Sequence, residues 1–142
     1  MNLEKLQELW KTDSQIDPDK YGEESVRIPQ LHMRYMEFYN TFALMKKDRE
    51  SEMRGLWKEK WIFYKGKAPA KIYKDTPFDF KLTTKEEINM FIDADEDVRK
   101  LQYKIDYIEQ VIFFLDGVLK QITSRNYQIK NAIEWERFQS GM

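Results

Sequence analysis

The chain has 142 residues, a formal net charge of -1 and 42% hydrophobic residues, which suits one helical domain with a real core. It has no cysteine, which excludes disulfides, a Cys-ligated zinc and a thiol nucleophile, and its single histidine argues against multi-His metal sites and Ser-His or Cys-His catalysis. Five glycines, four prolines, 35% charged residues and a mean hydropathy of -0.76 favour long solvated helices over a many-stranded fold.

The first predicted helix runs from Asn2 to about Lys11, with Leu3, Leu6, Leu9 and Trp10 on one face. Ser14 and the Asp17-Pro18 step end it. A second helix is expected from about Asp19, with Pro29 either kinking it or starting a new one. From Pro29 to Tyr64, Leu31, Tyr35, Phe38, Phe42 and Met45 form an apolar stripe that continues less regularly through Met53, Leu56 or Trp57, Trp61 and Tyr64. Gly66 is the expected C-terminal cap. Residues 67–82 alternate in β fashion at Ile72-Tyr73 and at Phe78 to Leu82, so a loop with a small hairpin near 71–82 is expected.

Thr83 or Thr84, with Glu86 or Glu87, provides a capping box for the next helix. Asp93, Asp95, Glu96 and Asp97 then open a long one, at the positive end of its dipole. In it, Val98, Leu101, Ile105, Ile108, Ile112, Leu115, Leu119 and Ile122 alternate steps of three and four, the mark of a coiled-coil seam. Val111 and Val118 widen that seam, so the helix is expected to be buried by several neighbours, within the chain or between subunits. A short last helix is expected from Asn126 to Phe138. The fold class is all-α with long antiparallel helices. Its regions are 1–66, ending in a basic and aromatic stretch, a connection over 67–83, and a C-terminal oligomerisation region over 84–142.

Arg54 to Lys74 holds seven basic residues against Glu59, a local charge of +6. Trp57, Trp61, Phe63, Tyr64 and Tyr73 are interleaved with them. Cations neutralise phosphates and flat rings accept unstacked bases, so the pattern suits single-stranded nucleic acid read without sequence preference. Lys58, Lys60, Lys65 and Lys67 are the expected phosphate contacts, with Arg54 beside them; Lys60 lies on a different face of a regular helix from Lys58, and Trp61 and Tyr64 are either stacking or packing residues. No P-loop, G-x-G-x-x-G or nucleophile elbow is present, and the acids near Asp95 read as a helix start rather than a metal site. An enzyme, a metal and a cofactor are therefore not expected. The competing reading is a helical adaptor or structural coiled coil that does not touch DNA.

Several ordered blocks resemble the UvsY family of phage recombination mediators. They are Leu3 to Glu8, Ile16-Asp17, Lys58 to Gly66, Asp93 to Val98, Leu115 to Gly117 and Ser124 to Lys130. Lys60 stands where the family pattern has Arg, Asn126 where it has Gly, and Trp57 and Trp61 are bulkier than usual. The resemblance implies a non-enzymatic homo-oligomer, typically a heptameric ring held by its C-terminal helices. It implies binding to single-stranded DNA through Lys58 and Lys60, with a RecA-type recombinase and a single-strand-binding protein as partners. It also implies a place in the cytoplasm of the infected host cell; no segment reaches the roughly 20 uninterrupted apolar residues that span a bilayer, so no membrane role is expected.

Overall fold

The computed structural model describes residues 1–141. Five helices follow in order: α1 (Leu3–Asp13), α2 (Tyr21–Tyr64), α3 (Ala70–Asp75), α4 (Lys85–Ala94) and α5 (Glu96–Gln139). No strand occurs among the described residues. The expected hairpin is replaced by α3 and an extended segment. Phe78 and Phe80 lie in that segment, and their rings pack on Phe91 at 5.5 Å instead of entering a ladder. The alternation there reflects aromatic packing. Among the described residues, no helix is long and apolar enough to cross a membrane.

Local chemistry fixes several helix ends. The Asn2 side chain accepts from the Lys5 N–H at 2.9 Å, and Thr84 Oγ1 accepts from the Glu87 N–H at 3.2 Å. Asp95 Oδ1 accepts from the N–H groups of Asp97 and Val98 and so starts α5. Helix α2 ends in a Schellman cap. The Lys67 N–H reaches the Ile62 carbonyl at 3.0 Å and the Gly66 N–H reaches Phe63 at 3.1 Å, with Gly66 at φ 82°. Pro29 lies inside α2 and neither starts nor ends it. No separate last helix forms, because Asn126 continues α5 to Gln139.

The fold divides into two compact units, one of Met1–Ala43 with the chain from Glu109 onward, the other Leu44–Ile108. In the first, α1 meets the opening half of α2. Trp10 packs edge-on against Tyr35 at 5.3 Å, and Leu6 and Tyr35 are fully buried. Asp13, also buried, accepts from the Tyr35 hydroxyl at 2.8 Å and from Arg27 and Arg34 at 3.1 Å each. Arg125 is buried at 2% exposure. It donates to the carbonyls of Ser14 at 3.0 Å and Gln15 at 2.7 Å, and to the Glu24 carboxylate at 2.8 Å.

In the second unit, Ile88, Ile92 and Val98 form a core against Met53, Leu56, Trp57, Trp61, Tyr64 and Leu82. The irregular second half of the α2 stripe is thus a packed surface.

The α5 seam differs from the expected heptad. Its buried residues are Val98, Leu101, Ile105, Ile108, Val111, Leu115, Val118, Ile122, Arg125 and Ile129. A single step of three from Ile108 to Val111 breaks the alternation, at the border between the two units. Beyond it Val111 and Val118 are buried, while Ile112 and Leu119 are only half-buried. The other six of the eight expected seam residues are covered by their own chain.

Candidate nucleic-acid interface

The last turns of α2, the 65–69 loop and α3 carry the basic segment, and the Schellman cap turns the chain sharply between them. Tyr73 fixes the turn. Its hydroxyl donates to the Phe63 carbonyl at 2.6 Å and accepts from the Ala68 N–H at 3.2 Å, while its ring stacks on Phe63 at 5.2 Å. These bonds hold the loop and α3 against the end of α2, so the lysines sit on a stiff support.

The residues expected to contact DNA fall into two groups. Arg54, Lys58 and Lys67 are exposed, as are Lys71 and Lys74 on α3. Among the described residues none of these five makes an ion pair. Free, solvated cations of this kind are what a phosphate chain can neutralise with release of its counterions.

Lys60, Lys65, Trp61 and Tyr64 are engaged within the chain. The Lys60 ammonium lies 2.8 Å from Asp97 Oδ2 and 3.3 Å from Asp95 Oδ2. Burial pushes its pKa down, but the bonds to Asp97 and Asp95 outweigh this and raise it above the ordinary lysine value. Asp95 is opposite in sense. Burial raises it, yet the Tyr64 hydroxyl, the Val98 N–H and Lys60 together hold it below the usual carboxylate range. Tyr64 donates to Asp95 Oδ2 at 2.6 Å, and burial and that carboxylate raise its pKa. Its ring packs among Phe63, Phe78 and Phe91. Trp61 packs on the Ile88–Ile92–Val98 core, and Lys65 Nζ stands 5.9 Å from its ring centroid, a cation–π contact.

Sequence reasoning separated Lys58 from Lys60 by helical angle, and the two do point into different environments. It missed that the acids opening α5 close on Lys60, because that pairing spans 37 residues. It also gave Arg125 no role, since two of its partners are backbone carbonyls more than a hundred residues away.

Between the end of α2 and α3 runs a groove of about 470 Å³, lined by Lys60, Ile62, Phe63, Ala68, Pro69 and Ile72 among others. Among the described residues, no group of three or more acids, histidines or cysteines is placed to hold a metal ion.

Comparison with known proteins extends this picture. The curated recombination protein uvsY of Enterobacteria phage T4 is 26% identical over 141 residues, 99% of each chain. Two crystal structures of the bacteriophage T4 recombination mediator protein UvsY superpose with TM-scores of 0.85 and 0.81. The first is 25% identical and covers 99% of this chain and 98% of its own; the second is 24% identical and covers 98% and 99%. The family described as "Recombination, repair and ssDNA binding protein UvsY" matches residues 9–142. The chain therefore belongs to the UvsY family of non-catalytic recombination, repair and single-stranded-DNA-binding mediator proteins.

Proposed function

We propose that this protein loads a RecA-type recombinase onto DNA covered by single-strand-binding protein, acting as a homo-oligomeric ring, heptameric as the resemblance implies. The observation that carries the reading is the group of exposed cations without ion pairs on one stiff support, Arg54, Lys58, Lys67, Lys71 and Lys74. Lys65 adds charge above Trp61, and Lys60 contributes once a phosphate competes with its carboxylates. Trp61 and Tyr64 serve mainly to shape the support.

A ring of such patches binds one strand at many points, so weak single contacts add up to firm attachment. The seam available for subunit contacts narrows to Ile112 and Leu119. Phe113, Trp135 and Phe138 add exposed apolar surface on α5. The test is the lag before a RecA-type recombinase starts DNA-dependent ATP hydrolysis on single strands pre-covered with single-strand-binding protein. Wild type shortens the lag, and the Lys58→Ala, Lys67→Ala double variant does not. A lag unaffected by folded wild-type protein contradicts the proposal and favours an adaptor without DNA contact.

A further inference from the structure

The groove between α2 and α3 differs in chemistry from its surroundings. Its walls are largely apolar, formed by Ile62, Phe63, Ala68, Pro69 and Ile72, the last 44% exposed. Its charged groups are Glu59, Lys60 and Asp95, which sum to -1. While Lys60 stays paired with Asp95 and Asp97, that balance leaves no free cation for a phosphate inside. Its rim is the opposite, since exposed Lys67 directly precedes Ala68 and exposed Lys71 directly precedes Ile72.

A slot of this kind suits a flat, neutral, partly apolar group tethered to anions outside it. A nucleobase on a single strand has that chemistry, and the groove, at about 470 Å³, is roomy for one ring system. Its lining also includes Thr76 and Glu59, residue types that can partner a base edge without fixing one base. The groove is preformed, because Tyr73 ties the loop to α2 through Phe63 and Ala68.

We propose that the α2–α3 groove is a base-binding subsite. It receives one unstacked nucleobase of single-stranded nucleic acid while the rim lysines hold the flanking phosphates. This rests on the single-strand-binding reading above and adds a contact to the base itself.

The experiment compares the full chain's affinity for a labelled oligothymidylate and for an abasic oligonucleotide with the same number of phosphates. Both are titrated against salt. Wild type should prefer the oligothymidylate by roughly tenfold, the scale of one base contact. Ile72→Gln removes apolar wall and Ala68→Leu fills the slot, and neither changes charge. Each should bring the ratio down several-fold and leave the salt slope as in wild type. A wild-type ratio of one, or a ratio unchanged in both variants, overturns the subsite while the mediator reading stands. Absence of salt-dependent binding to either oligonucleotide overturns both.

Discussion

Asp97 closes on Lys60 at 2.8 Å, so a cation expected from the sequence to contact DNA is already held by a carboxylate of its own chain. The two acids on Lys60 are not equivalent. Asp95 is nearly buried and caps α5, whereas the Asp97 side chain is 63% exposed. An exposed carboxylate at that place competes with a phosphate for the same ammonium. Asp97→Asn should raise affinity for single-stranded DNA a few-fold and steepen the salt slope by about 0.7, the value of one added phosphate contact. Glu96→Gln removes the same charge one residue away without touching Lys60, and should do less. Equal effects in the two variants, or a gain that persists in a Lys60→Ala background, would count against the competition.

Lys60 also contributes to stability, with a defined pH window. The Asp95 pKa is depressed, so its contribution is present above the ordinary carboxylate value and is lost as pH falls through the lower folded value. The Lys60 pKa is raised, so its contribution is complete below the ordinary lysine value and is lost as pH rises through the higher folded value. Between about pH 5 and pH 9 both are present. Lys60→Ala should cost about 1 kcal/mol there, and the difference should shrink as pH falls towards 2. Urea unfolding midpoints across that range provide the check, and a constant difference would refute it.

The Arg125 clasp joins α5 to the turn between α1 and α2. Arg125→Ala leaves the carbonyls of Ser14 and Gln15 without their donor and the Glu24 carboxylate with Arg27 alone, at 3.5 Å, a cost of about 3 kcal/mol. Amide exchange in α1 should accelerate more than in α4, which lies in the other unit. Equal acceleration in both helices would mean that Arg125 does not fasten α1 in particular.

The step of three in the α5 seam separates neighbouring residues by environment. Val118 is 2% exposed, whereas Leu119 is half-buried. Val118→Asp buries an unpaired carboxyl and should lower stability by several kcal/mol. Leu119→Asp should cost less in the isolated chain, so its effect on sedimentation reports subunit contact rather than unfolding. Thermal melts that rank the two the other way would show that the seam keeps its heptad.

Much of this fold is legible locally. Asn2, Thr84, Asp95 and Gly66 act through neighbours within five residues, and each end of helix they mark is where sequence placed it. Of the expected α2 stripe, Leu31, Tyr35 and Phe42 are likewise buried, whereas Phe38 is half-buried and Met45 is exposed. The false hairpin arose because period-two spacing at Phe78 and Phe80 also results from aromatic packing on Phe91. Ile112 and Leu119 continue the heptad in sequence, but which face is covered depends on what packs alongside, and that is not written in α5. The basic segment was visible as charge. That Lys60 is occupied while Lys58 and Lys67 are free depends on a pairing with the start of α5, which a linear charge count does not show.

On the proposed function, the exposed cations around the end of α2 form an electrostatic track for single-stranded DNA. The most direct measurement is a salt titration of oligonucleotide binding to the full chain, with wild type beside the Lys58→Ala, Lys67→Ala variant at matched thermal stability. Wild type should bind tightly at low salt and lose affinity steeply as salt rises, and the variant should bind more weakly with a slope shallower by about 1.4, two phosphate contacts. A variant with wild-type affinity and slope would contradict the assignment.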